Sequence, residues 1–150
     1  MDFKDHTHPD KLERYSFLWS EVRLVVGAAA LLLGGVPPVL YFLAFSPLYG
    51  LVYALLKLAW VISGVASAYL VYRWYQNGMK VFGGNETKDT VAFAVSIASG
   101  LNLGFVGIAG TNIGMSITSN YIVFVAAAVL YLAVAYHLYT RWKKQGEKLF

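Results

Sequence analysis

The chain has 150 residues, of which 58% are hydrophobic and only 13% are charged, and it contains no cysteine. Soluble domains average about 25% charged residues, so this composition is typical of a membrane protein. Without cysteine, disulfides, thiolate catalysis and cysteine-ligated metals are excluded. The formal net charge of +4 does not indicate nucleic-acid binding, because the basic residues lie at the predicted membrane borders, where topology accounts for them.

The charged residues fall into three blocks, separated by apolar runs of about 20 residues. A helix of that length rises about 30 Å, which matches the hydrocarbon core of a bilayer. The sequence therefore predicts an all-α, polytopic membrane protein in which four transmembrane helices form two hairpins within a single domain. The predicted spans are 24–45, 49–72, 90–110 and 121–139, with a loop at 73–89 and a tail at 140–150.

A polar segment, residues 1–21, precedes the first predicted span. Apolar and aromatic residues recur at helical spacing in and just after it; they are Leu12, Tyr15, Leu18, Trp19 and Val22. This spacing predicts a short amphipathic helix on the membrane surface, and the alternative is a frayed tail. His6 and His8 form a single His-x-His in this segment. A designed metal site needs more ligands, so we predict no bound metal.

The first predicted span contains Gly34-Gly35 followed by Pro37-Pro38. Each proline removes a backbone donor and disrupts the hydrogen bond that a carbonyl one turn earlier would accept. Pro37 and Pro38 therefore predict a kink. Such a break is tolerated in a membrane only where protein or water satisfies the freed backbone groups.

A stripe of small residues marks the third predicted span and the residues just after it. Its members are Ser96, Gly100, Gly104, Gly107 and Gly114. Their spacing of three and four places them on one face of a continuous helix, where small residues let two helix backbones approach closely. The stripe predicts a helix-packing face, and the alternative is the wall of a pore or substrate path.

Lys57 is the one charged residue inside a predicted span. A lysine at the centre of a span costs about 2.5–3.5 kcal/mol on insertion scales, so a compensating partner is expected. Asn102 and the carbonyls freed by the prolines lie at a similar predicted depth, and Asn112 follows in the next loop. These groups form a candidate intramembrane polar site. The alternative is that Lys57 extends along its stem to the outer interface.

A ten-residue phrase occurs twice, once at the end of each predicted hairpin. It reads R-W-Y-Q-N-G-M-K-V-F at 73–82 and R-W-K-K-Q-G-E-K-L-F at 141–150. The identical pairs, 68 positions apart, are Arg73 and Arg141, Trp74 and Trp142, Gly78 and Gly146, Lys80 and Lys148, and Phe82 and Phe150. The phrase predicts a tandem two-helix repeat. The alternative is convergence, because a membrane interface favours Arg, Trp and a helix-ending Gly independently.

The charges predict the topology. Eleven of the twelve Lys and Arg residues, and all eight Asp and Glu, lie before residue 24, within 73–89 or after residue 139. The positive-inside rule then places both termini and the middle loop in the cytoplasm, for a protein of the cytoplasmic (inner) membrane. At these borders, Asp89 or Thr90 is expected to cap the third helix, and His137 to act as an interfacial anchor.

The sequence shows no Walker loop, dinucleotide fingerprint, G-x-S-x-G or H-E-x-x-H motif. It therefore predicts no catalytic residue, no cofactor and no enzyme activity. The predicted function is that of a non-catalytic scaffold or assembly subunit, whose partners are the lipid bilayer and either copies of itself or a larger membrane complex. The alternative is a small oligomeric channel or carrier for an ion or small solute, with Lys57 and Asn102 near the pathway.

Overall fold

The computed structural model describes residues 8–150, which form six helices. In chain order these are α1 (Pro9–Leu32), α2 (Pro38–Phe42), α3 (Tyr49–Gln76), α4 (Thr87–Ala109), α5 (Ile113–Ile117) and α6 (Tyr121–Lys144). Four of the six, α1, α3, α4 and α6, are long and apolar enough to cross a membrane. The prediction of an all-helical chain with four helices of that kind is therefore confirmed.

Three of the long helices begin at or near the start of a predicted span. α3 begins at Tyr49 and α6 at Tyr121, as predicted, and α4 begins at Thr87 instead of residue 90. The start of α6 is fixed by Asn120, whose side chain accepts a hydrogen bond of 2.9 Å from the backbone N–H of Ile122. α3 and α6 continue past the predicted ends, so that the first residues of both ten-residue phrases are helical.

The first long helix differs from the prediction. α1 runs without interruption from Pro9 to Leu32, so the structure does not separate a short surface helix from the first span. Residues 1–7, and with them His6, lie outside the described part of the chain. The reason is tertiary packing: Phe17 is buried with its ring 5.2 Å from that of Trp142, and the Tyr69 hydroxyl donates to the Pro9 carbonyl. The face of this segment that meets other helices therefore carries Phe17, whereas four residues of the predicted apolar spacing are exposed; they are Leu12, Tyr15, Trp19 and Val22.

The two glycines, and not the two prolines, end α1. Gly34 and Gly35 have positive φ angles of +72° and +89°. Their N–H groups donate to the carbonyls of Leu31 and Ala30, which is the Schellman pattern of a helix C-terminus. Pro38 then begins the short helix α2, since proline suits the first helical position. A helix end thus replaces the predicted kink, and the predicted span 24–45 is not one helix.

The long helices pack as a ring in which α1 contacts α3, α3 contacts α4, α4 contacts α6 and α6 contacts α1. The most extensive of these interfaces joins α3 to α4, which belong to different predicted hairpins. α1 also touches α4 across the ring. If α1 and α4 are taken as equivalent helices, and α3 and α6 likewise, each contact in this set corresponds to another contact in the set or to itself. The packing is thus compatible with a twofold repeat, although the duplication itself stays a prediction.

The ion pairs described below lie at one end of the bundle. Here the start of α1 and the end of α3 meet the start of α4, the end of α6 and the C-terminal segment. The opposite end carries α2, α5 and their connecting turns, and there the Tyr121 hydroxyl donates to the Leu32 carbonyl. We call these the charged end and the uncharged end.

Candidate functional site

The small residues of α4 face α3. A Cβ atom built on Gly104 would lie 2.6 Å from the Cα of Gly64, and one on Gly107 would lie 2.9 Å from the backbone nitrogen of Val61. Gly100 packs against Ser67 of α3 and Arg23 of α1. Separations below 3.0 Å are not tolerated by real Cβ atoms. The close contact between α3 and α4 therefore depends on these glycines.

Ser96 and Gly114, the two ends of the predicted stripe, have other roles. Ser96 is buried and binds Arg23, whose Nη2 donates to the Ser96 carbonyl at 2.8 Å. Gly114 is exposed, because Gly110 ends α4 with a φ of +74° and places Gly114 in the separate helix α5. The small-residue stripe required one continuous helix as far as Gly114, but α4 ends at Ala109, five residues earlier.

Asn102 and Asn112 are bonded to each other. The Asn102 amide donates to Asn112 Oδ1 at 3.0 Å, and Asn102 Oδ1 accepts from the Ile113 N–H at 2.9 Å. Asn112 Oδ1 also accepts from the Met115 N–H and so caps α5. The segments 100–104 and 110–114, which both read Gly-x-Asn-x-Gly, thus form one structural clamp that holds α5 against the end of α4.

Lys57 does not join this clamp. Within residues 8–150 its side chain makes no hydrogen bond or ion pair, and its exposure is intermediate. Asn102 lies two residues before Gly104, about 200° around α4 from the face that meets α3. The structure therefore does not bring Lys57, Asn102 and Asn112 together as one polar layer. Lys57 lies about 12 Å from the start of α3, closer to the uncharged end than to the charged end.

The two ten-residue phrases fold alike. In the first, Gly78 and Met79 have positive φ angles, and their N–H groups donate to Tyr75 and Trp74. In the second, Gly146 and Glu147 do the same with Lys143 and Trp142. Each phrase is therefore a helix C-terminus followed by a reversal of the chain.

After these reversals the two phrases meet. The Phe82 N–H donates to the Leu149 carbonyl at 2.7 Å, and Val81 and Leu149 are both buried. Phe150 packs on Phe93, with ring centroids 5.7 Å apart. Lys80 and Lys148 are exposed. The C-terminal segment is further held by Arg14, which pairs with Glu147 at 2.8 Å, and the hydrogen bond from Lys143 lowers the pKa of Glu147.

The arginines that open the two phrases each bind a carboxylate on the preceding long helix. Arg73 of α3 pairs with Glu13 of α1 at 2.9 Å. Arg141 of α6 binds Asp89 of α4 through two nitrogens, at 3.0 and 2.7 Å. Glu13 and Asp89 are both buried, so these are shielded ion pairs that join the two helices of each half.

Asp89 also binds His137, whose Nε2 lies 2.7 Å from Asp89 Oδ1. His137 and Arg141 are four residues apart on α6, which places both on one face of the helix. The predicted cap is not observed, because α4 begins after Glu86 without a side-chain cap. His137 is bonded to a buried carboxylate, and its role as an interfacial anchor stays a prediction. The spacing of four between His137 and Arg141 indicates in the sequence that both side chains lie on one face of α6. It does not indicate that their shared partner is Asp89, which is 48 positions from His137.

Two further charged residues of α1, Glu21 and Arg23, are buried, although both precede the first predicted span. Arg23 is bonded to Ser96, but its Nε and Nη1 atoms have no hydrogen-bond partner. Both carboxylate oxygens of Glu21 are buried without a partner. Unpaired buried charges are costly and uncommon, so Glu21 and Arg23 are candidate functional residues.

The described residues contain no group of three or more His, Asp and Glu side chains placed to hold a metal ion. His8, the described half of the His-x-His, lies 3.8 Å from Asp10 in an exposed pair. No protein-family model, no curated protein and no solved structure matches this chain.

Proposed function

We propose that the protein is a small non-catalytic integral membrane protein that acts as an oligomerising scaffold or assembly subunit. The observation that carries this proposal is the outward face of α3. Large apolar side chains lie along it at alternating spacings of four and three; they are Leu51, Leu55, Leu58, Ile62 and Val65, and each is at least 43% exposed. We call this set the α3 stripe.

The spacing supports the proposal more strongly than the hydrophobicity does. In lipid, apolar surface alone does not drive helices together, because the acyl chains are equally apolar. A repeat that averages 3.5 residues, however, keeps one seam of a helix facing a partner helix along several turns. Such a seam fits knobs-into-holes packing against a second helix.

The other faces of α3 are already occupied within the subunit. Gly64 meets α4, and Ser63 accepts a hydrogen bond of 2.9 Å from Trp19 of α1. The α3 stripe is therefore the part of this helix left for a partner. Copies inserted in one orientation would meet through a twofold axis along the membrane normal, with the same stripe on both sides.

The orientation belongs to the same proposal. The charged end holds the Lys- and Arg-rich segments, whereas the connections at the uncharged end carry no Lys or Arg. By the positive-inside rule the charged end is cytoplasmic, and the membrane is the cytoplasmic (inner) membrane. Partners that act from the cytoplasm would then meet the ion-paired end of the bundle.

Single-cysteine cross-linking tests the assembly surface directly, because the chain has no cysteine of its own. We expect Leu58→Cys and Ile62→Cys to form disulfide-linked dimers in native membranes under mild oxidation. Val129→Cys is the control: Val129 is 62% exposed on α6 and lies at about the same distance from the uncharged end as Leu58. Equal cross-linking of Leu58→Cys and Val129→Cys would reflect random collision and contradict the proposed surface.

The competing hypothesis is an oligomeric channel or carrier with Lys57 on its path. Lys57 lacks a protein partner within the described chain, which a water-filled path could explain, but Asn102 is engaged in the clamp with Asn112. Anion flux into liposomes that Lys57→Met abolishes, with the melting temperature unchanged, would favour this hypothesis over the scaffold.

A further inference from the structure

An open groove of about 450 Å³ lies between α1 and α6. Its lining residues are Glu21, Val22, Val25, Val26, Leu132, Ala135, Tyr136 and Tyr139. Apart from Glu21 and the two tyrosine hydroxyls, every lining side chain is a hydrocarbon. A volume of this size is within the range of pockets that bind small organic ligands.

Glu21 is the one charged residue of this lining, and it is 7% exposed. Both of its oxygens are buried, and neither has a hydrogen-bond partner. Arg23, two residues further along α1, directs its guanidinium to Ser96 instead. Glu21 therefore has no hydrogen-bonded or ion-paired partner in the described chain, although the charge of Arg23 also acts on it. In these apolar surroundings Coulomb attraction is much stronger than in water.

We infer that this groove binds a lipophilic organic cation of the onium class, whose charge is stabilised by Glu21 and whose apolar groups pack on the valines and Leu132. An onium centre has no N–H to donate, so it needs no direct hydrogen bond from the covered carboxylate. A metal ion is a poorer fit, because the described chain supplies no second carboxylate or histidine at this site.

The two tyrosines add to the attraction for a cation. An aromatic face attracts a positive charge that lies within about 6 Å of the ring centre. The Tyr139 ring already has the Lys143 ammonium 5.9 Å from its centroid, whereas Tyr136 is 75% exposed. Tyr136 is therefore the ring available to a ligand in the groove.

A pair of ions with the same shape and opposite charge provides the test. Tetraphenylphosphonium and tetraphenylborate would each be offered to the purified full chain in a nonionic detergent, and binding measured by equilibrium dialysis. We expect saturable binding of the phosphonium and at least tenfold weaker binding of the borate. Equal binding of the two ions would show apolar partitioning only and would overturn the inference, as would no phosphonium binding.

Variants locate the site. Glu21→Gln removes the charge, and we expect it to weaken phosphonium binding at least tenfold; Val25→Trp should weaken it by filling the groove. Glu86→Gln is the control, since Glu86 is an exposed carboxylate at the charged end. Melting temperatures of all variants would show whether each is folded. A folded Glu21→Gln that binds the phosphonium as the unchanged protein does would overturn the inference, whereas the assembly proposal rests on the other side of the bundle and would stand.

Discussion

Gly64 of α3 and Gly104 of α4 lie backbone to backbone where the two helices pack together. A Cβ atom on either residue would lie 2.6–2.7 Å from the Cα of the other. Because the clash is with backbone, no side-chain rotation can relieve it. The α3–α4 interface thus requires glycine at both positions, because a side chain of any other residue type would clash with the facing backbone.

Gly104→Ala should destabilise the protein. We expect a loss of about 1–3 kcal/mol in the free energy of unfolding, as for overpacking of a tight core. Gly50→Ala is the matched control, since Gly50 is also helical, in α3, and a Cβ there meets nothing within 4 Å. Thermal or denaturant unfolding in detergent measures both. Equal melting temperatures for the two variants would contradict the packing described for Gly104.

Asp89→Asn should also destabilise the bundle, because it leaves Arg141 and His137 without their shared carboxylate. Hydrogen bonds to charged groups contribute about 1.5–3 kcal/mol each, so we expect a loss of that order. Glu86→Gln is the control: Glu86 also pairs with Arg141, at 3.1 Å, but its side chain is 52% exposed. Exposed ion pairs contribute little to stability. If Glu86→Gln lowered the free energy of unfolding as much as Asp89→Asn does, burial would not distinguish the two contacts.

The clamp between Asn102 and Asn112 predicts a non-additive pair of substitutions. Asn102→Ala and Asn112→Ala should each cost about 0.5–1.5 kcal/mol, since each removes the hydrogen bond between them. Once one asparagine is replaced, replacing the other should cost less, because their hydrogen bond is already lost. The double variant should therefore lose less unfolding free energy than the sum of the two single losses. Strictly additive unfolding free energies would indicate that the two side chains act independently.

Labelling of single cysteines shows which end of the bundle faces the outside of the cell. Cysteines at Ser46 and Thr118, both at the uncharged end, should react with a membrane-impermeant maleimide added to sealed cells. A cysteine at Gln76, at the charged end, should react only after the cells are opened. Reaction of the Gln76 cysteine in sealed cells would reverse the orientation inferred from the basic residues.

Much of the helical framework was predictable, because long apolar runs between charged blocks are a local property of the chain. α3 and α6 begin at Tyr49 and Tyr121, the residues given as the approximate starts of the second and fourth predicted spans. The end of α1 differs from the predicted kink because Gly34 and Gly35 adopt the positive φ angles of a Schellman turn before the chain reaches Pro37 and Pro38.

The charged contacts could not be predicted in the same way. Asp89 and His137 are 48 positions apart, and Glu13 and Arg73 are 60 apart, so their pairing depends on how the helices pack. Glu21 and Arg23 precede the apolar run and therefore resembled border charges. Their burial follows from contacts of α1 with α4 and α6, which no local pattern encodes.

The proposed assembly of the protein with copies of itself or with larger partners in the membrane is tested most directly by counting subunits. Single-molecule photobleaching of the fluorescently labelled chain in lipid vesicles, at decreasing protein density, gives this count. We expect two or more bleaching steps per spot that persist on dilution, and fewer steps after Leu58→Trp, which disrupts the α3 stripe. Single steps at every density, with no partner retained on purification from native membranes, would contradict it.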